Sequence, residues 1–167
     1  MVDKVKIKDI RMLITLHPAF VDKKASADDI AKTMIANPKL KSVCVVNDKL
    51  KLIGIITLKK LIKHEFMNLL PSEFENLDAL EFIGNNIAED FMFLPVFVKD
   101  EDTLKTAFVR MYKNELDELP VVDEELHLIG IIDMLELLTI LIEKKEQKAG
   151  QNFLSLNVSR LFTRKND

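Results

Sequence analysis

A chain that writes the same stretch twice is held to a fold in which like sequence takes like structure and the two copies cover each other. Residues 121–138, VVDEELHLIGIIDMLELL, restate residues 45–62, VVNDKLKLIGIITLKKLI. With Gly130 laid on Gly54 the offset is 76, and Val45, Val46, Leu50, Leu52, Ile53, Ile55, Ile56 and Leu61 fall on Val121, Val122, Leu126, Leu128, Ile129, Ile131, Ile132 and Leu137. A second pair, HPAFV at 17–21 and LPVFV at 94–98, has an offset of 77, so the first copy gains one residue between Val21 and Val45. Two copies of one small unit, each short of apolar cover when alone, imply a packed pair.

The proline-led pieces are short and apolar, which suits edge strands whose first residue need not donate a hydrogen bond. Each leads into a helix. In the first copy Ser26 is the expected N-cap, Asp28 and Asp29 complement the helix dipole, and Pro38 stops the helix. Ala27, Ile30, Ala31, Met34 and Ile35 recur at helical spacing, as do Leu104, Ala107, Phe108, Met111 and Tyr112 after Asp102, and both sets are expected in the core. Ser42–Val46 and Leu52–Thr57 alternate as strands about a polar Asn47–Lys49 turn, which predicts an antiparallel hairpin. After the glycine step Leu58, Leu61, Ile62, Phe66 and Leu69 make one helical stripe. The matching helix carries Met134, Leu135, Leu137, Leu138, Ile140, Leu141 and Ile142 over a wider arc, and so needs more than one neighbour.

The expected fold class is therefore α+β and sandwich-like, with two strand–helix–strand–strand–helix units. The expected division is a first domain at 1–66, an acidic and apolar connector at 67–86 that packs back in short helical turns, a second domain at 87–148 and a tail at 149–167. The tail fits a helix through Leu154, Val158 and Leu161, or a strand through Leu154, Leu156 and Val158.

Composition narrows the function. A hydrophobic fraction of 48% with a net charge of −3 lies far from the disordered regime. No apolar run reaches the ~20 residues of a bilayer span, and the charged start MVDKVKIKDI lacks a secretory apolar core, so a cytoplasmic location without membrane insertion is expected. From His64 to Val98 there is no Lys or Arg, while seven acids fall there, a segment that would repel a phosphate backbone; no nucleic-acid partner is expected. The single cysteine, Cys44 in VCVV, is expected as a small buried hydrophobe. His17, His64 and His127 have no spacing that builds a metal site or a triad, and neither a Walker loop nor a CxxC is present, so neither catalysis nor a metal is expected.

The strand–helix–strand–strand–helix repeat, with LPVVD before a hairpin and GII after it, resembles the cystathionine beta-synthase (CBS) domain, over roughly residues 8–66 and 87–147. The resemblance implies two CBS domains packed as a pseudo-twofold pair, a Bateman module, that commonly forms a homodimer through its helices. It also implies a regulatory role: a cleft between the domains takes an adenosine-containing ligand (AMP, ADP, ATP or S-adenosylmethionine) and reports to a partner protein. No cofactor is required.

The family's ligand signature is Gly, an apolar residue, any residue, Ser or Thr, two further residues and Asp. The hydroxyl donates to phosphate, and the carboxylate accepts from ribose hydroxyls. The first copy keeps Gly54, Ile55, Ile56 and Thr57 but puts Lys60 at the acid position; the second keeps Gly130, Ile131 and Ile132, replaces the hydroxyl residue by Asp133 and ends on Glu136. By resemblance the first cleft would be formed by Ala19, Phe20, Val43, Thr57 and Lys60, and the second by Val96, Phe97, Leu119, Pro120, Asp133 and Glu136. Thr57 and Lys60 both suit phosphate. Asp133 would oppose it by roughly 1 to 4 kcal/mol at ~4 Å, which leaves the second cleft to a nucleoside. The alternative reading is a dimeric interaction module with vestigial clefts, working through its apolar last helix, acidic segment and tail.

Overall fold

The computed structural model of the chain describes residues 4–14, 18–66 and 86–149. His17, Leu69, the turns expected between residues 67 and 85, and the tail from 150 onward lie outside the described residues. A 3-10 helix, Ile7–Leu13, leads into the first unit: β1 (Phe20–Asp22), α1 (Ala27–Ala36), β2 (Ser42–Val46), β3 (Leu52–Thr57) and α2 (Leu58–Phe66). The second comprises α3 (Ala88–Phe91), β4 (Val98–Lys99), α4 (Leu104–Asn114), β5 (Glu118–Val122), β6 (Leu128–Asp133) and α5 (Met134–Ala149).

Each unit has one three-stranded sheet whose central strand pairs in parallel with the short edge strand and antiparallel with its hairpin mate. The repeat extends to register. Val45 faces Gly54 and Val121 faces Gly130, and both hairpins shift register one residue later. The same hairpin position is left-handed in each, Leu50 at φ 57° and Leu126 at φ 72°. The expected cap of α1 forms, the Ser26 hydroxyl accepting from the Asp29 N–H at 3.2 Å, and α4 has a matching cap in Thr103, whose hydroxyl accepts from the Thr106 N–H at 3.1 Å. α1 ends at Ala36, ahead of Pro38.

Every residue of β2 and of β5 is buried because both faces of each sheet are covered. Alternation then sorts the side chains. Val43, Val45 and Ile56 face a core with Ile30, Met34 and Leu61, whereas Cys44, Leu52 and Ile55 join the core that contains Ile131 and Leu119 of the second unit. The hairpins also meet directly, with Lys51 bridged to His127 and the Leu52 N–H donating to the Leu126 carbonyl at 2.9 Å.

The leading segments of the two units are exchanged. Ile7, Ile10 and Ile14 pack in the core of the second unit. The Ile7 N–H donates to the Asp102 carbonyl, the Leu104 N–H to that of Val5, both at 2.9 Å, and Arg11 pairs with Asp100 and Lys8 with Glu101. Reciprocally, Ala88 and Phe91 of α3 are buried in the first core, and the Ala88 N–H donates to the Ala25 carbonyl at 2.8 Å.

The helical stripes are only partly internal. Leu104, Ala107 and Met111 of α4 are buried, but Phe108 and Tyr112 are not; in α1 Ile35 lies outside, and in α2 Leu61 is buried while Ile62 and Phe66 are exposed. A sheet covers one narrow arc of each helix, so the apolar residue following a buried one points outward. The exposed set is itself repeated: Ile35 matches Tyr112, Ile62 matches Leu138, and Phe66 matches Ile142.

Candidate functional site

The site grows from the junction of β3 and α2. Thr57 closes the strand, and its hydroxyl accepts from the Lys60 N–H at 3.2 Å, capping the helix. That leaves the hydroxyl proton to donate elsewhere. Lys60 is drawn inward to 9% exposure and sets its ammonium 4.6 Å from the centroid of the Phe93 ring, a cation–π arrangement. Phe93 is held in turn by a two-way backbone pairing with Ile55, the Ile55 N–H donating at 3.1 Å and the Phe93 N–H at 2.8 Å. This pairing lays the chain after α3 along the free edge of β3. An added Cβ on Gly54 would meet Met92, so the glycine allows that close approach.

Between this junction and the loop after α4 lies a cleft of about 650 Å³, within the size range of small-molecule sites. Thr57, Lys59, Lys60 and Lys63 line it with Asn114 and Glu115, and Ile55, Phe93, Leu94, Val96 and Leu116 supply the apolar wall. A smaller recess of about 400 Å³ adjoins it and shares Thr57, Lys59, Glu115 and Leu116.

The clefts are not composed copy by copy as the sequence suggests. Thr57 and Lys60 are together, but Val96, expected with Asp133 and Glu136, lines their cleft. Ala19 and Phe20 are absent from that lining; the Ala19 carbonyl accepts from the Cys44 N–H at 3.2 Å, and the Phe20 ring is half exposed. Val43 and Leu119 are fully buried core residues on the helix side of their sheets, with no surface to offer a ligand. Pro120 is buried opposite Ile131 in the β5–β6 ladder. The Phe97 carbonyl takes a 2.6 Å hydrogen bond from Arg110, and its ring packs against the core. The regrouping follows from the exchanged segments, which carry the chain around Val96 to the first sheet.

Asp133 and Glu136 engage each other. The Glu136 N–H donates to Asp133 Oδ1 at 2.6 Å and the Asp133 N–H to Glu136 Oε2 at 2.9 Å, a reciprocal capping box that starts α5. The copies thus diverge in chemistry at one turn: hydroxyl and lysine in the first, two carboxylates in the second.

Sequence reasoning passed over Glu118. Its carboxylate, 5% exposed, leaves β5 to accept from the Lys41 N–H at 2.8 Å, the Ser42 N–H at 3.1 Å and the Ser42 hydroxyl at 2.9 Å. Desolvation pushes its carboxyl above the ordinary range, against the pull of these hydrogen bonds. The signal was present, since Glu118 is the repeat mate of Ser42 and stands in an otherwise apolar strand. Among the described residues no cluster of His, Cys, Asp and Glu could hold a metal, and no helix is long and apolar enough to cross a membrane.

The family model for the CBS domain matches residues 7–66 and 88–143. The chain belongs to the CBS domain family. As a CBS pair it is similar to a solved CBS domain-containing protein from Thermotoga maritima, 28% identical with a TM-score of 0.72 over 84% of this chain and 96% of that one. Two further solved structures share the fold: CBSX2 of Arabidopsis thaliana in complex with AMP (23% identity, TM-score 0.62, 84% of this chain and 98% of that one) and the CBS domain pair of protein MJ0100 with 5′-methylthioadenosine and S-adenosyl-L-methionine (18%, 0.64, 81% and 96%). Protein SDS23 of Scheffersomyces stipitis is 26% identical over 161 residues, 90% of this chain; the chain spans 29% of that relative's length.

Proposed function

We propose that this CBS pair is a non-catalytic regulatory module that takes an adenosine-containing ligand in the cleft beside Thr57 and Lys60 and passes its occupancy to a partner protein. The observation that carries this reading is the cleft itself: a half-open cleft of about 650 Å³ between the units, with one apolar, partly aromatic wall for a base and one wall of hydroxyl and ammonium donors for phosphate. Structural neighbours that bear AMP, or 5′-methylthioadenosine and S-adenosyl-L-methionine, support the ligand class. Calorimetric titration of the full chain with adenosine, AMP, ADP, ATP and S-adenosylmethionine tests it. Saturable binding of at least one is the expected result, and silence from all at millimolar concentration would overturn the sensing reading.

A second reading rests on a different observation. Tyr112, Leu138 and Ile142 on α4 and α5, and their mates Ile35, Ile62 and Phe66, all stand exposed on the helix side of the two units. A homodimer through these helices would cover them, with each apolar position meeting a twofold-related one. Leu138→Asp should convert such a dimer to a monomer in sedimentation velocity; a wild-type chain that already sediments as a monomer would refute it.

A further inference from the structure

Among the described residues, three lysines, Lys59, Lys60 and Lys63, line the cleft together with one acid, the exposed Glu115. They lie within the first two turns of α2, and the helix adds the partial positive charge of its N-terminus to theirs. Thr57 at the cap carries a hydroxyl whose acceptor side is taken by the Lys60 N–H and whose proton can go to an anion. The opposite wall is apolar, and the Phe93 ring is 43% exposed, so an aromatic group can enter beside it. At the equivalent turn of the other unit two carboxylates cap each other, a turn that repels anions.

From this asymmetry we infer that the pair holds one ligand per chain, in the Thr57 cleft, and selects it by the length of its phosphate chain, so that a nucleoside triphosphate outcompetes its diphosphate, monophosphate and parent nucleoside. The inference rests on the proposed sensing role and adds to it the charge class of the ligand and its stoichiometry. A single phosphate can be met by Thr57 and one ammonium. The second and third phosphates extend the anion along α2, where the two remaining lysines meet it, each contact being a charge-assisted hydrogen bond or a close ion pair. Lys60 does double service, since its ammonium also lies against Phe93 and keeps the ring fixed as a wall for the base.

The test is calorimetry on the full chain at constant ionic strength with adenosine, AMP, ADP, ATP and inorganic tripolyphosphate, repeated on the Lys59→Ala/Lys63→Ala double variant. Both substituted side chains are at least partly exposed, so the fold tolerates their loss. Lys60→Met serves as a further variant that keeps most of the unbranched side chain and removes its charge. The expected result is one site per chain with affinity rising from adenosine to ATP by about five- to tenfold per phosphate, and ATP weakened about tenfold or more in the double variant while adenosine is unmoved. Equal affinities across the series, a preference for adenosine, or an ATP affinity indifferent to the lysines would overturn the phosphate inference while leaving adenosine sensing in place. Tripolyphosphate binding that depends on the lysines, without binding of any adenosine compound, would overturn both the inference and adenosine sensing and leave an inorganic-anion site only. Two equivalent sites per chain would overturn the asymmetry.

Discussion

Removing Glu118 should loosen the joint between the two CBS units more than any other single polar change. Its carboxylate is the acceptor for three donors on the strand start of the other unit, two of them backbone N–H groups. Glu118→Ala leaves the Ser42 N–H buried without its partner, exposes the Lys41 N–H partly to water and frees the Ser42 hydroxyl to rotate. Each hydrogen bond to a charged acceptor contributes about 1.5 to 3 kcal/mol, offset in part by the relief of a buried charge, so the net loss is about 3 to 5 kcal/mol. For a chain of this size that lowers Tm by roughly 6 to 20 °C in calorimetry. Ser42→Ala deletes one of the three bonds and should cost about 1 kcal/mol, and the double variant should show a coupling of at least ~0.5 kcal/mol. Because burial raises the Glu118 carboxyl above its ordinary 4.5, the folded state holds that proton more tightly than the unfolded state. The linked stabilisation is full below about 4.5 and is lost as pH rises toward the folded value. The stability of wild type relative to Glu118→Gln should therefore fall with pH across that window. A Glu118→Ala protein melting within ~2 °C of wild type would refute the clasp.

Three further outcomes are expected. Gly54→Ala brings a Cβ to 2.7 Å from Met92 Cγ and should cost about 1 to 3 kcal/mol by denaturant titration, with part recovered by adding Met92→Ala; no loss, or no recovery, would contradict the packing at the free edge of β3. Cys44, with its thiol pushed up to about 12 by burial, should resist Ellman's reagent until the protein is unfolded, and stoichiometric labelling of the native chain would contradict its position between the sheets. Asp133→Ala should cost about 1 kcal/mol through the lost cap of α5 and leave ATP binding in the Thr57 cleft unchanged; a weakened ATP affinity would mean that the second unit's turn contributes to the site.

Local structure was legible because its causes are local. The offset between Gly54 and Gly130 carried the two hairpins, and Ser26 marked the capped start of α1. The exchange of the leading segments was not legible, because Ile7, Ile10 and Ile14 fit either apolar core by composition and only packing decides between them. That one undetermined choice decides which lining Val96 joins, and the structure places it beside Thr57 and Lys60, whereas a proline-led segment was taken to serve the unit it precedes in sequence. Helical periodicity showed which faces are apolar without showing which are covered, so Phe108, Tyr112 and Ile35 were expected inside. Lys60 and Thr57 stand at one turn because a helix start brings them together whatever the rest of the chain does.

Hydrogen–deuterium exchange of the full chain with and without saturating ATP tests the proposed ligand cleft most directly. Protection is expected at residues 57–63, where α2 presents Thr57 and the lysines, and at 93–96, the segment forming the opposite wall. Exchange unchanged in both segments under saturating nucleotide, or protection confined to the Asp133–Glu136 turn, would contradict it.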